Sequence, residues 1–194
     1  MKYLLRYVLP LSGLLLAGAP LYSRAVEFNQ VQTGKSTLTF AYKQMGVPME
    51  GRFRQFSARV AFDPVKAGIA QAQIEINLAS IDTGFSDGDE EVLGKQWFNT
   101  RIYPVAQFVS TGVKTLGGNR YEVFGKLTLK GKTQGVSAPF TFKPEGTKGV
   151  FDGAFTLKRL DYAIGEGVWT DVSAVANEIQ IRFHIVADAA PAKK

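Results

Sequence analysis

The sequence predicts an all-β fold, eight antiparallel strands closed into a barrel or folded into a sandwich, with one or two short helices. Three observations predict it. Apolar and polar residues alternate with a period of two along most of the chain after residue 35. Several alternating runs are joined by short Gly-containing links, too short for the dozen or more residues that a parallel crossover needs. Only two stretches break the alternation.

The elements follow in order. Ser36–Tyr42 puts Leu38, Phe40 and Tyr42 on one face and Thr37, Thr39 and Ala41 on the other. Arg52–Phe62 sets Phe56, Ala58, Val60 and Phe62 against Gln55, Ser57 and Arg59. Ala70–Leu78 alternates most cleanly: Ala72, Ile74, Ile76 and Leu78 against Gln71, Gln73, Glu75 and Asn77. Val105–Thr111, Arg120–Lys130, Gly135–Lys143, Val150–Lys158 and Glu178–Val186 complete the eight strands. Leu116-Gly117-Gly118-Asn119, Lys130-Gly131-Lys132 and Pro144-Glu145-Gly146 supply turn chemistry. Asp63-Pro64-Val65-Lys66-Ala67-Gly68 predicts one helical turn, with Asp as N-cap, Pro at the first position and Gly as the stop. Asp87–Trp97 predicts a short helix capped by Asp87, with Glu90 at capping-box spacing.

The ends read differently. Lys2 and Arg6 precede an apolar run, Tyr7–Ala19, and Ser23-Arg24-Ala25 ends in small residues. This is the layout of a cleaved secretory signal, 1–25, with the mature chain starting at Val26. The run of about 13 residues is short of the ~20 that a spanning helix requires. Residues 26–188 form the single predicted domain and 189–194 a frayed polar tail. Loss of Lys2, Arg6 and Arg24, with no acidic residue, lowers the formal net charge from +6 to +3. That modest charge, without a basic cluster among aromatics, is no nucleic-acid footprint.

Composition narrows the chemistry further. With no Cys and one His, thiol chemistry, disulfides and multi-histidine metal sites are excluded. His184 falls on the polar side of the last strand and lacks a nucleophile motif, so it predicts a surface residue. Gly165-Glu166-Gly167 lacks the layout of a phosphate loop. Asp87, Asp89, Glu90 and Glu91 fall in the first turns of a helix, where negative charge is favourable without a cation. The expectation is a protein without catalytic residues, metal or cofactor.

The strongest feature is aromatic. All 14 Phe lie in the mature chain, many at inward-type positions. Such a face either fills a core or lines a greasy slot suited to a hydrocarbon chain.

Six segments then resemble, in order, the YceI-like family of periplasmic, lipocalin-like proteins associated with polyisoprenoid binding. They are Lys35-Ser36-Thr37-Leu38-Thr39-Phe40, Gly51-Arg52-Phe53-Arg54-Gln55-Phe56 and Ile81-Asp82-Thr83-Gly84. Trp97-Phe98-Asn99 with Tyr103-Pro104-Val105-Ala106-Gln107-Phe108, Gly125–Gly131, and Leu160-Asp161-Tyr162-Ala163-Ile164-Gly165 complete the set. Where the family commonly has His after the first strand, this chain has Gln44, with Met45 and Met49 nearby. The resemblance implies an eight-stranded lipocalin-like barrel in the periplasm whose interior holds a polyisoprenoid or similar lipid, such as an isoprenoid quinone or fatty-acid derivative. The lining it implies, on hydrophobicity, is Phe40, Phe56, Ile74, Ile76, Phe108, Leu127, Leu129, Phe140, Phe142 and Phe155, with Tyr42, Met45 and Trp97 near an opening. Two alternatives stand beside it: a non-catalytic accessory presenting a quinone to a redox partner, and a filled-core structural or stress protein. Transient membrane contact and a homodimer remain open.

Overall fold

The structure, a computed structural model, describes residues 26–190. The expected signal segment and residues 191–194 lie outside them. Eleven strands are present among the described residues: β1 Phe28–Val31, β2 Thr37–Gln44, β3 Val47–Phe53, β4 Phe56–Ala61, β5 Gln71–Asn77 and β6 Ile81–Asp82. After the helix α1, Ser86–Leu93, come β7 Val105–Gly117, β8 Arg120–Leu129, β9 Lys132–Glu145, β10 Lys148–Lys158 and β11 Glu178–Ala189. All the strand pairs are antiparallel, in the order β4-β5-β7-β8-β9-β10-β11-β2-β3-β6, with β1 added on β11.

The strand count differs from eight for a physical reason. The run Arg52–Phe62 is not one strand: β3 pairs β2, then the chain bends at Arg54-Gln55 and β4 pairs β5 instead. At the bend the amides of Arg54 and Gln55 leave the ladder and donate to Ser80, to its carbonyl at 3.0 Å and to Oγ at 3.0 Å. Neither Gly nor Pro marks that bend. A two-residue turn at Met45-Gly46, with φ of 48° and 80°, also makes a hairpin of β2 and β3. β1 and β6 are too short to show a period. β11 runs through Ala189, whose amide donates to Thr147 O at 2.8 Å.

The curled sheet is drawn into a barrel at its seam. β1 pairs β11 and also bridges to Phe62 just past β4: the Phe28 amide donates to Phe62 O at 2.9 Å, and the Phe62 amide to Phe28 O at 3.1 Å.

The helical turn after β4 keeps its predicted start, with Asp63 Oδ1 accepting from the Val65 amide at 2.9 Å and Pro64 first, but it is a kinked 3-10 segment that runs past Gly68 to Ile69. The longer helix is shifted and shortened. It starts at Ser86, ends at Leu93, and its N-cap position is Phe85, without a side-chain cap. The capping box between Asp87 and Glu90 fails because Asp87 lies inside the first turn rather than at the N-cap; Asp89 instead turns back to the preceding loop, accepting from the Thr83 amide at 2.6 Å and hydroxyl at 2.7 Å.

Two apolar clusters fill the two ends of the barrel. One is an aromatic floor of Phe28, Phe62, Tyr121, Phe140, Phe142 and Phe151, backed by Ala67, Ile185 and Ala187. The other, beneath the loops 94–104 and 159–177, gathers Leu78, Trp97, Ala106, Leu127, Leu129, Leu157, Tyr162, Ile164 and Val175.

Candidate ligand-binding cavity

Between the two clusters lies a cavity of about 270 Å³. Its wall is built by strand alternation. β2 contributes Leu38, Phe40, Tyr42 and Gln44; β5 contributes Ala72, Ile74 and Ile76; β11 contributes Ile179, Ile181, Phe183 and Ile185. Each set steps by two, so one face of each strand supplies the lining and the other meets solvent.

Large inward rings do not choke the barrel, because several lie against glycine on the neighbouring strand. A Cβ at Gly51 would collide with Phe40 Cζ, one at Gly125 with Phe108 Cε2, and one at Gly153 with Phe183 Cζ. The missing side chain is the space that the ring occupies. The ring can therefore lie back on the wall, a sheet packing device in which an aromatic covers a strand glycine.

Polar residues enter the wall at few places: Gln44, Gln71, Thr83, Glu91 and Arg159. The rim at the loop end is formed by Gln44 on the β2–β3 hairpin, Phe85 and Glu91 around α1, and Trp169 in the long loop. The isolated bridge between Gln44 and Val175 and the Met45 amide donating to Ala174 O at 2.9 Å tie the hairpin to that loop.

Two buried cations organise the loop end. Arg159 is 1% exposed and has no carboxylate partner among the described residues. Its Nε donates to Ala176 O at 3.1 Å, Nη1 to Ile164 O and Gly165 O at 2.9 and 3.3 Å, and Nη2 to Trp169 O and Val175 O at 2.6 and 2.7 Å. Five N–H groups meet five carbonyls, so the guanidinium is fully engaged by backbone. The group also lies 5.4 Å from the centre of the Trp97 ring. Burial holds its pKa below the ordinary value. Gly165, at φ +82°, leaves room for the guanidinium; a Cβ there would collide with Nη1.

Lys130 does the same on a smaller scale. Its Nζ donates to Lys95 O at 3.0 Å, Ala163 O at 2.7 Å and Glu166 Oε2 at 2.8 Å. The hydrogen bond and charge of Lys130 hold the Glu166 carboxyl below its ordinary range. Both cations fasten loops to strands and neither presents a free N–H to the cavity. Tyr162, buried beneath the same loops, is pushed up to about 12 by burial and then by the Asp161 charge.

Of the residues singled out on sequence, Phe40, Tyr42, Ile74, Ile76, Trp97, Phe108, Leu127, Leu129, Phe140 and Phe155 stand in the wall. Three do not. Phe142 packs in the floor, its ring 4.9 Å from that of Phe62 and 5.0 Å from that of Phe151. Phe56 packs against the same cluster. Met45 is in the left-handed turn of the β2–β3 hairpin and is 74% exposed, outside the rim that Gln44 enters. Sequence reasoning missed the fastening roles of Arg159 and Lys130, which follow strand ends and carry no periodic signal, and the glycines beneath the rings, which only register reveals. His184 is on the outer face, with Nδ1 2.7 Å from Asp152 Oδ1. Among the described residues no helix is long and apolar enough to cross a membrane.

Comparison with known proteins agrees with this architecture. The family described as the YceI-like domain matches residues 30–187. A UPF0312 protein of Azotobacter vinelandii is 28% identical over 137 residues, 68% of this chain and 69% of that protein. A UPF0312 protein of Pseudomonas syringae is 31% identical over 122 residues, covering 60% of this chain and 64% of that one. The matches thus span about two thirds of those relatives' length. Among solved structures, Burkholderia cenocepacia BcnA is 46% identical, with a TM-score of 0.80 over 81% of this chain and 99% of that chain. A polyisoprenoid binding domain from Saccharophagus degradans shares the fold at 19% identity and a TM-score of 0.66, over 86% of this chain and 99% of that one. An antiparallel barrel with this match along nearly all its described length places the chain in the YceI-like family.

Proposed function

We propose that the protein is a periplasmic binding or carrier protein for a long apolar lipid such as a polyisoprenoid, held in the barrel interior. The observation that carries this reading is the cavity wall. Ile74, Ile76, Leu127, Leu129, Phe40, Phe108 and Phe155 face one another around unfilled space, and the buried cations at the loop end are already engaged, Arg159 by backbone carbonyls and Lys130 by two carbonyls and Glu166. A cavity with such a lining stays dry and favours hydrocarbon. The polyisoprenoid binding domain of the Saccharophagus structure, built on the same fold, supports that class of ligand.

The driving force is removal of apolar surface from water. Burying about 400 Å² of a lipid tail contributes on the order of 10 kcal/mol before association costs are subtracted, enough for useful affinity without a charged anchor. No side chain in the wall is arranged as a nucleophile with its base, so the reading is carriage without chemistry.

The test is organic extraction of the exported protein, purified from its host without detergent, followed by mass analysis. A polyprenyl-type lipid at about one per chain is expected. A quinone would instead favour presentation to a redox partner, and a chain that is bare and takes up no lipid when offered would overturn the reading.

A further inference from the structure

The two ends of the cavity differ in how they stop it. Toward the loops the wall ends at Gln44, Phe85, Glu91 and Trp169, partly exposed residues on separate segments. Toward the floor it ends mainly on rings: Phe62, Phe140 and Phe151 are wall residues and also members of the buried aromatic cluster, with Val60, Ala70 and Gln71 completing that end beside Phe62. Phe62 is 2% exposed. Its ring meets Tyr121 edge-on at 5.2 Å and Phe151 at 5.1 Å, and lies 4.9 Å from Phe142. Interlocked rings of this kind have no slack for a guest.

The backbone beneath Phe62 is also fixed. Its amide and carbonyl both pair with Phe28, and the next residue, Asp63, caps the following turn. The Cα of Phe62 is therefore held at the barrel seam, and its ring is held by the rings around it.

We infer that Phe62, with Phe140 and Phe151 beside it, is a length gauge for the bound chain: it sets how many carbons are buried before the rest emerges between the hairpin and α1. The inference rests on the lipid-carrier reading and adds where the chain must stop. The distance available is bounded by the strands. Gln44 and Ile185 stand at opposite ends of the wall on paired strands, about eight residues apart by register, or roughly 25 Å along the strand direction. A cavity of about 270 Å³ is near the lower end of the range of pockets that hold drug-sized molecules, ~300–1,000 Å³. A long polyprenyl chain is thus taken in part, and its polar end is left outside.

The test uses the full mature chain, freed of lipid, and a series of linear primary alcohols of increasing carbon number as probes. For the wild type, affinity should rise about fourfold per methylene while the chain lengthens within the cavity, then stop rising. Phe62→Leu and Phe151→Leu, each checked for an unchanged circular dichroism spectrum, should move that plateau to longer alcohols by one or more carbons. Tyr42→Leu, toward the opposite end, should alter affinity for all lengths alike and leave the plateau in place. If either folded Leu variant keeps the wild-type plateau, the gauge is refuted while carriage stands. If the wild type binds no alcohol of any length, the carrier reading itself falls.

Discussion

The floor and the loop end of this barrel solve the same problem with opposite chemistry. At the floor, rings from β1, β8, β9 and β10 and from Phe62 just past β4 close the lumen by packing on one another. At the loop end, segments without regular pairing are held by two buried cations that donate to backbone carbonyls. Apolar closure is nondirectional and tolerates imperfect fit at modest loss, whereas polar closure in a dry interior is costly when one partner is removed. One end is thus a set of loops with exact hydrogen-bond requirements, and the other is packed aromatic mass.

The largest effect that would sharpen this contrast is at Arg159. Arg159→Met should destabilise the fold by about 3–5 kcal/mol in urea unfolding, because five carbonyls lose their donor in a buried setting. Arg159→Lys should recover little of it, since an ammonium cannot span that fan of acceptors. A loss near zero for Arg159→Met would mean that the loops hold themselves.

Next comes Phe142, which the sequence places in the lining and the structure places behind it. Phe142→Ala should cost about 3–5 kcal/mol as a cavity in packed rings, yet leave affinity for a short alcohol nearly unchanged. A variant that loses affinity but not stability would return Phe142 to the wall.

Gly125→Val tests the wall itself, at about 1–3 kcal/mol of overpacking. The added side chain meets the Phe108 ring and the carbonyl of Val109, so the ring should be driven into the lumen and uptake should fall severalfold. Unchanged uptake would show that the ring has another place to go.

The smallest effect is in pH. The Glu166 carboxyl, held low by Lys130, supports the loop end fully above its ordinary value of 4.5, and that support is lost as pH falls through the lower folded value. The Tyr162 phenol, raised from 10.0 to about 12, supports the fold below pH 10 and loses that support between 10 and about 12. Ile164 methyl resonances should therefore shift in mild acid while those of Ile185 in the floor cluster, which contains no carboxyl, stay put. Equal shifts at both ends would erase the distinction.

How much of this the sequence carried follows the same division. Alternation placed β5, β8 and β10 within two residues of their ends and stopped β11 three residues short, and it put Ile74, Ile76, Leu127 and Leu129 on the inward face. Period-two patterning reports burial on a sheet face, so it reads the wall well. It cannot say whether a buried face meets space or another ring, which is why Phe142 and Phe140 look alike in sequence and part company in the fold. It is silent at Arg54-Gln55, where the strand changes partner through bonds to Ser80. It is equally silent at Arg159, whose partners are carbonyls that any residue supplies. The aromatic–glycine pairs are non-local, and no spacing within one strand betrays them.

The chain contains two tryptophans, Trp97 and Trp169, with ring centres 5.3 Å apart and both in the cavity wall, so tryptophan emission reports on the loop end of the cavity. Titration of the lipid-free protein with a C15 isoprenoid alcohol, followed by tryptophan emission, tests the open interior most directly. A saturable change at one alcohol per chain, absent in a folded Ile76→Arg variant, is the predicted result. Emission that does not respond, or that responds identically once a guanidinium has been placed in the lumen, would contradict it.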